Sequence, residues 1–144
     1  MQPDINYVAV LLAGVASMVV GFLWYSNLLF AKPWSKLMGW TGEAEVQAKK
    51  DAPKMYGLSF VLSLLTSYIL AHTIAFSENF YHNPPIQTGL MTAVFLWLGF
   101  VMPVQLTGDM FGGKKWKLFL INTFYQLTWL LVAGVIIGSM TKYS

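Results

Sequence analysis

The side chains able to do chemistry are few, and the most unusual stand in "KKWKLFLINTFYQLTW", positions 114–129. Asn122 and Gln126 lie one helical turn apart in an otherwise apolar run, with Tyr125 and Trp129 on the same face at about 100° per residue. An amide in hydrocarbon is costly unless it is bonded or wet. Two explanations compete. In the first, the amides tie helices together in a dry network, the plainer reading for uncharged polar residues inside a bundle. In the second, they line a pocket open to the cytoplasm, with Tyr125, Gln105 and Asn27 as further ligand-binding residues. Aromatic rings suit a ligand, although tyrosine and tryptophan also mark ordinary membrane interfaces.

Other chemistry is sparse. His72 is the single histidine within an apolar stretch and His82 falls in a loop. A zinc site or a bis-histidine haem needs more convergent ligands, so neither a metal nor a cofactor is expected. The chain has no cysteine, which excludes disulfides and thiolate chemistry. Asp109 follows Gln105 by four residues at the border of an apolar stretch, near Lys114 and Lys115. These could hold a phosphate-bearing lipid. Anchoring of the inner leaflet by Lys114, Lys115 and Lys117 beside Trp116 is the simpler account. The interior of the apolar stretches has no carboxylate, which argues against proton-driven efflux. "FGG" at 111–113 is a turn signal, too short to cradle a phosphate. No enzyme is expected. The absence of arginine also takes weight from nucleic-acid binding.

The elements that must position these residues are membrane spans. Of 144 residues, 56% are hydrophobic and 10% charged, against about 25% charged in soluble domains. Four uncharged stretches, at about 5–31, 55–77, 84–108 and 118–141, are each long enough to cross the bilayer as a helix. Together they predict one all-α integral membrane domain over 1–144. The first stretch has no preceding lysine and a long apolar run, so it is expected to be retained rather than cleaved. Eight of nine lysines fall in 32–54 or in 109–117, the exception being Lys142. The positive-inside rule makes those two segments cytoplasmic and puts both termini outside.

"KPWSKLMGW" sets Trp34, Leu37 and Met38 on one face with Lys32 and Lys36 free to snorkel, which predicts a short interfacial helix touching lipid headgroups. "TGEAEVQAKKDAPK" reads as a further short helix, capped by Thr41 and carrying a Glu45–Lys49 pair. Pro103 should kink the third span. Ala9, Ala13, Ser17 and Gly21 form one small-residue seam, and Gly134 and Gly138 a GxxxG, both suited to helix packing. Depth along the spans puts Asn27, Gln105, Asn122 and Gln126 in the inner half. The outer half reads as aliphatic except for His72 and Thr73. "FLWYSNLLFAKPWSKL" weakly echoes "FLW…DMFGGKKWKLFL", a pattern that two repeated helical hairpins would produce.

"GFLWYSNLLFAKPWSKLMGW", "FLWLGFVMPVQL" and "FGGKKWKLFLINTFYQLTWLLVAGVIIG" resemble the bacterial integral membrane family catalogued as domain of unknown function 1761. The likeness covers nearly the whole chain in order and spacing, with Asn27 standing where proline is expected. It implies a small bacterial inner-membrane protein of four spans and transfers no functional residue. Two functions follow from the residues. One is a small-solute transporter, channel or ligand-binding subunit with an inward-facing polar pocket, working as a homo-oligomer. The other is a structural or accessory subunit assembling with a membrane partner through its small-residue faces.

Overall fold

The computed structural model describes residues 3–141, so Lys142 lies outside the described residues. The described residues form six α-helices, five of which make the four crossings: α1 Tyr7–Trp24, α2 Ala31–Met38, α3 Gly42–Tyr81, α4 Pro85–Leu96, α5 Met102–Phe111 and α6 Trp116–Met140. The crossings are α1, α3, α4 continuing into α5, and α6, all long and apolar enough to span a membrane. Packing runs round a ring: α6 lies between α1 and α4, and α3 closes the ring by touching the same two helices. Successive crossings alternate in direction, so α2, the start of α3 and the turn at 112–115 share one end of the bundle. That end carries Lys32, Lys36, Lys49, Lys50, Lys54, Lys114, Lys115 and Lys117.

The core combines small side chains at the helix contacts with a few large ones, Leu70, Leu130 and Trp129 among them. Ala9, Ala13 and Ser17 of α1, Ala71 and Ile74 of α3, Ala93 of α4 and Ala133 and Ile137 of α6 are buried. Many other large apolar residues point outward: Phe95 is 67% exposed and Phe100 72%. A soluble bundle would bury these. Here lipid is the solvent, so close backbone approach rather than apolar burial holds the helices together.

Three elements depart from their expected limits. The first span stops at Trp24 rather than near 31, because Ser26 breaks the helix: its Oγ donates to the Leu23 carbonyl at 2.7 Å and accepts the Leu28 N–H at 3.3 Å. The expected short helix at 41–54 is not separate. It runs without a break into the second crossing as one helix of 40 residues, roughly 60 Å long. Pro53 lies within it and deprives the Lys49 carbonyl of its donor, on a face where residues 49, 50, 53 and 54 are exposed to solvent. Thr41 is the N-cap residue, without a side-chain bond. The third crossing takes up Pro103 through a π turn at Trp97–Val101, in which the Met102 N–H reaches the Trp97 carbonyl.

Candidate functional site

A cleft opens at the lysine-bearing end, where α1 and α3 meet through long side chains, Phe22 against Tyr56 with ring centroids 5.3 Å apart, rather than through their backbones. A Cβ on Gly14 would sit 2.6 Å from the Leu64 side chain, so the two helices touch there. Two turns on, a Cβ on Gly21 would meet Tyr125 of α6 first, at 3.2 Å, and one on Gly57 would meet nothing within 4 Å. The resulting space, about 390 Å³, is walled by Ser17, Met18, Gly21 and Phe22 of α1, Tyr25 of the following turn, Trp34 of α2, Tyr56 and Ser59 of α3, and Tyr125. Its polar side-chain groups are hydroxyls and the Trp34 indole N–H, and it holds no charged side chain.

Hydrogen bonds fix the aromatic wall. Trp24 donates through Nε1 to the Ile121 carbonyl at 2.9 Å, and Tyr25 donates its hydroxyl to Asn122 Oδ1 at 2.8 Å. Tyr125 donates to the Ser17 carbonyl at 3.2 Å. The rings of Tyr125 and Tyr25 meet edge to face at 5.4 Å, and Tyr25 meets Trp34 likewise at 5.5 Å. α2 is thereby seated on α6, with Lys32 and Lys36 exposed and Trp34, Leu37 and Met38 half-buried.

Of the five residues expected to bind ligand, Tyr125 alone lines this cleft. The Asn122 oxygen is taken by Tyr25, and the Gln126 oxygen accepts the Trp129 N–H at 2.8 Å on its own helix. Both amides thus serve aromatic donors that would otherwise be unpaired in hydrocarbon. Gln105 lies on α5, which packs on α6, and its Oε1 is buried without a partner. Asn27 sits exposed in the turn after α1. In sequence Trp34 reads only as part of an interfacial helix, and Tyr25, Trp34, Tyr56 and Ser59 are not among the expected ligand-binding residues. The one available signal was their common spacing just inside the lysine-bearing boundary.

Asp109 is 6% exposed and pairs with Lys114 at 3.2 Å, while its second oxygen has no partner. Lys114 is therefore held by a carboxylate as well as being available to headgroups, whereas Lys115 and Lys117 are exposed. His72 donates through Nδ1 to the Tyr68 carbonyl at 3.0 Å, an ordinary bond within its helix. Among the described residues no three histidine or carboxylate side chains gather as a metal site. The outer half is less aliphatic than expected. Ser77, Thr88 and Thr92 join Thr73 around a second cleft of about 340 Å³ between α3 and α4. Thr73 donates to the Ile69 carbonyl at 2.9 Å and Thr88 to that of Pro84 at 3.2 Å, while Thr92 donates to the Ser77 hydroxyl at 3.4 Å, and these bonds let them sit in an apolar layer.

Fold and cleft together define a small polytopic helical membrane protein with an aromatic recess at one end. The chain belongs to the family described as Protein of unknown function (DUF1761), which it matches over residues 8–138. It is also 32% identical over 95 residues to a phospho-N-acetylmuramoyl-pentapeptide-transferase of Cutibacterium acnes, an alignment covering 64% of this chain and 25% of the transferase. The chain thus corresponds to about a quarter of the length of that relative. No solved structure matches it.

Proposed function

We propose that this chain is a non-catalytic binding or transport subunit of the bacterial inner membrane, taking a small amphipathic solute into the cleft at its lysine-bearing end. The observation that carries this reading is the cleft's wall, in which the rings of Tyr25, Trp34, Tyr56 and Tyr125 surround a space large enough for a small ligand. Hydroxyls of Tyr56, Ser59 and Tyr125 supply polarity without a formal charge, which favours a solute that is apolar over most of its surface. The lysine distribution supports a cytoplasmic opening and outside termini. Leu70, Ile74, Leu130 and Ile137 fill the bundle beyond the cleft. A translocation pathway would therefore run between copies in a homo-oligomer.

The likeness to a transferase covers a quarter of that protein's length, and its reaction is not assigned to this chain. An accessory subunit assembling through small-residue faces has less to stand on. Gly134 and Gly138 are pressed against the backbone of α4, and Ala9, Ala13 and Ser17 are buried within the chain. A partner would need other surface.

Single cysteines at Ser59 and Ile136, in protein purified into phosphatidylcholine nanodiscs, test the reading with N-ethylmaleimide. Ser59→Cys should react quickly and be protected by an amphiphile that binds, while Ile136→Cys stays inert. Slow reaction at both positions in folded protein would mean that the cleft is closed, and the reading would fall.

A further inference from the structure

The cleft does not end at Trp34 and Tyr56. On their far side the same two residues line a second recess of about 360 Å³, bordered also by Ser35, Trp40, Glu45 and Lys49. The two recesses form one groove. Along one wall the edge-to-face ring contacts continue from Tyr125, Tyr25 and Trp34 to Trp40, the last pair 5.1 Å apart. The other wall is a single stripe of α3. Glu45, Lys49, Ala52, Tyr56 and Ser59 recur at alternating four- and three-residue steps and so share a face of the helix. From Glu45 to Ser59 that stripe is roughly 21 Å long at the rise of an α-helix. It begins in charged sequence beyond the membrane and ends among apolar side chains within it.

We infer that this groove binds an anionic phospholipid of the adjoining leaflet. The headgroup phosphate would lie at Lys49 and the Ser35 hydroxyl, with one acyl chain running past Trp34 and Tyr56 to Met18 and Gly21. This rests on the ligand-binding reading of the cleft and names the chemical class of the ligand. Three observations select it. The groove is polar at one end and aromatic at the other, which fits an amphiphile rather than a uniformly polar solute. From Lys49 to Ser59 the stripe runs roughly 15 Å, which takes most of an extended acyl chain. Its lining holds one lysine and one carboxylate, Lys49 and Glu45, but the segment that frames it favours an anion, because 31–54 holds five lysines against three carboxylates. The Glu45–Lys49 contact of 3.2 Å is no obstacle, since both side chains are more than half exposed and such pairs are readily exchanged.

The test compares nanodiscs of phosphatidylcholine alone with discs that also contain phosphatidylglycerol. Ser59→Cys reports on the groove through its rate with N-ethylmaleimide, and Val46→Cys, exposed on α3, corrects for the surface potential. The ratio of the two rates should fall when phosphatidylglycerol is added. Lys49→Gln should restore it by roughly fivefold, the factor one lysine near an anionic surface contributes. A ratio unchanged by phosphatidylglycerol, with Ser59→Cys still reactive, would overturn the anionic lipid and leave the open cleft standing. A fall that Lys49→Gln does not relieve would likewise overturn it, because the headgroup would not be where the groove places it. Ser59→Cys inert in both discs would overturn the lipid and the ligand-binding reading together.

Discussion

Asn122 and Gln126 are acceptors for aromatic donors, and this accounts for amides in a run where leucine would suffice. Trp24, Tyr25, Trp97, Tyr125 and Trp129 each place an N–H or O–H within the bundle, and each finds an oxygen there. The Tyr25–Asn122 bond is the one that joins the turn after α1 to α6 through two side chains. Tyr25→Phe should therefore cost about 1 kcal/mol, the usual worth of such a bond. Adding Asn122→Leu should recover part of that loss, because removing both partners leaves no orphaned acceptor. Unfolding of the purified variants in mixed detergent micelles would read both effects, and strict additivity would show that the bond contributes nothing. The types and spacing of the two amides were legible in the sequence. Their partners were not, since Tyr25 is 97 residues from Asn122 in the chain.

At the scale of elements, glycine placement decides which helices touch. A Cβ on Gly89 would run into the Gly134 carbonyl oxygen, and one on Gly138 would lie 2.5 Å from that of Pro85. Both obstacles are backbone, which cannot turn aside as a side chain can. Gly89→Ala should therefore destabilise by about 1–3 kcal/mol or more by forcing α4 from α6. Gly14→Ala meets only the end of Leu64 and should cost less. Gly57→Ala has open space on a helix and should stabilise by up to about 1 kcal/mol. Thermal unfolding of the three variants in one detergent gives the order, and equal losses would contradict it. The GxxxG of α6 was visible in sequence as a packing face. That it meets Pro85 and Gly89 of the same chain depends on the ring order of the helices.

For the whole molecule, the lysines set one end of the bundle apart from the other. Lys50→Cys should be labelled by an impermeant thiol reagent in inverted vesicles and protected in intact cells. Asn79→Cys, at the opposite end of α3, should show the reverse pattern. Labelling of both from one side would refute the proposed orientation. The number of crossings, the all-helical class and the lysine asymmetry were legible in the sequence by itself. Each follows from a local requirement: about 20 apolar residues to cross the bilayer, internal backbone bonding, and charge kept in water. Tertiary structure decided the rest. Ser26 ends α1 early, but only the bonds from Trp24 and Tyr25 to α6 hold that turn where it can wall a cleft. In a membrane, helix packing is selected by close backbone contact and by pairing of scattered polar groups, and neither is written in hydropathy. The amides of α6 suggest a pocket in sequence, whereas the recess forms between α1, α3 and α6, among aromatic side chains that meet only when the four crossings are assembled.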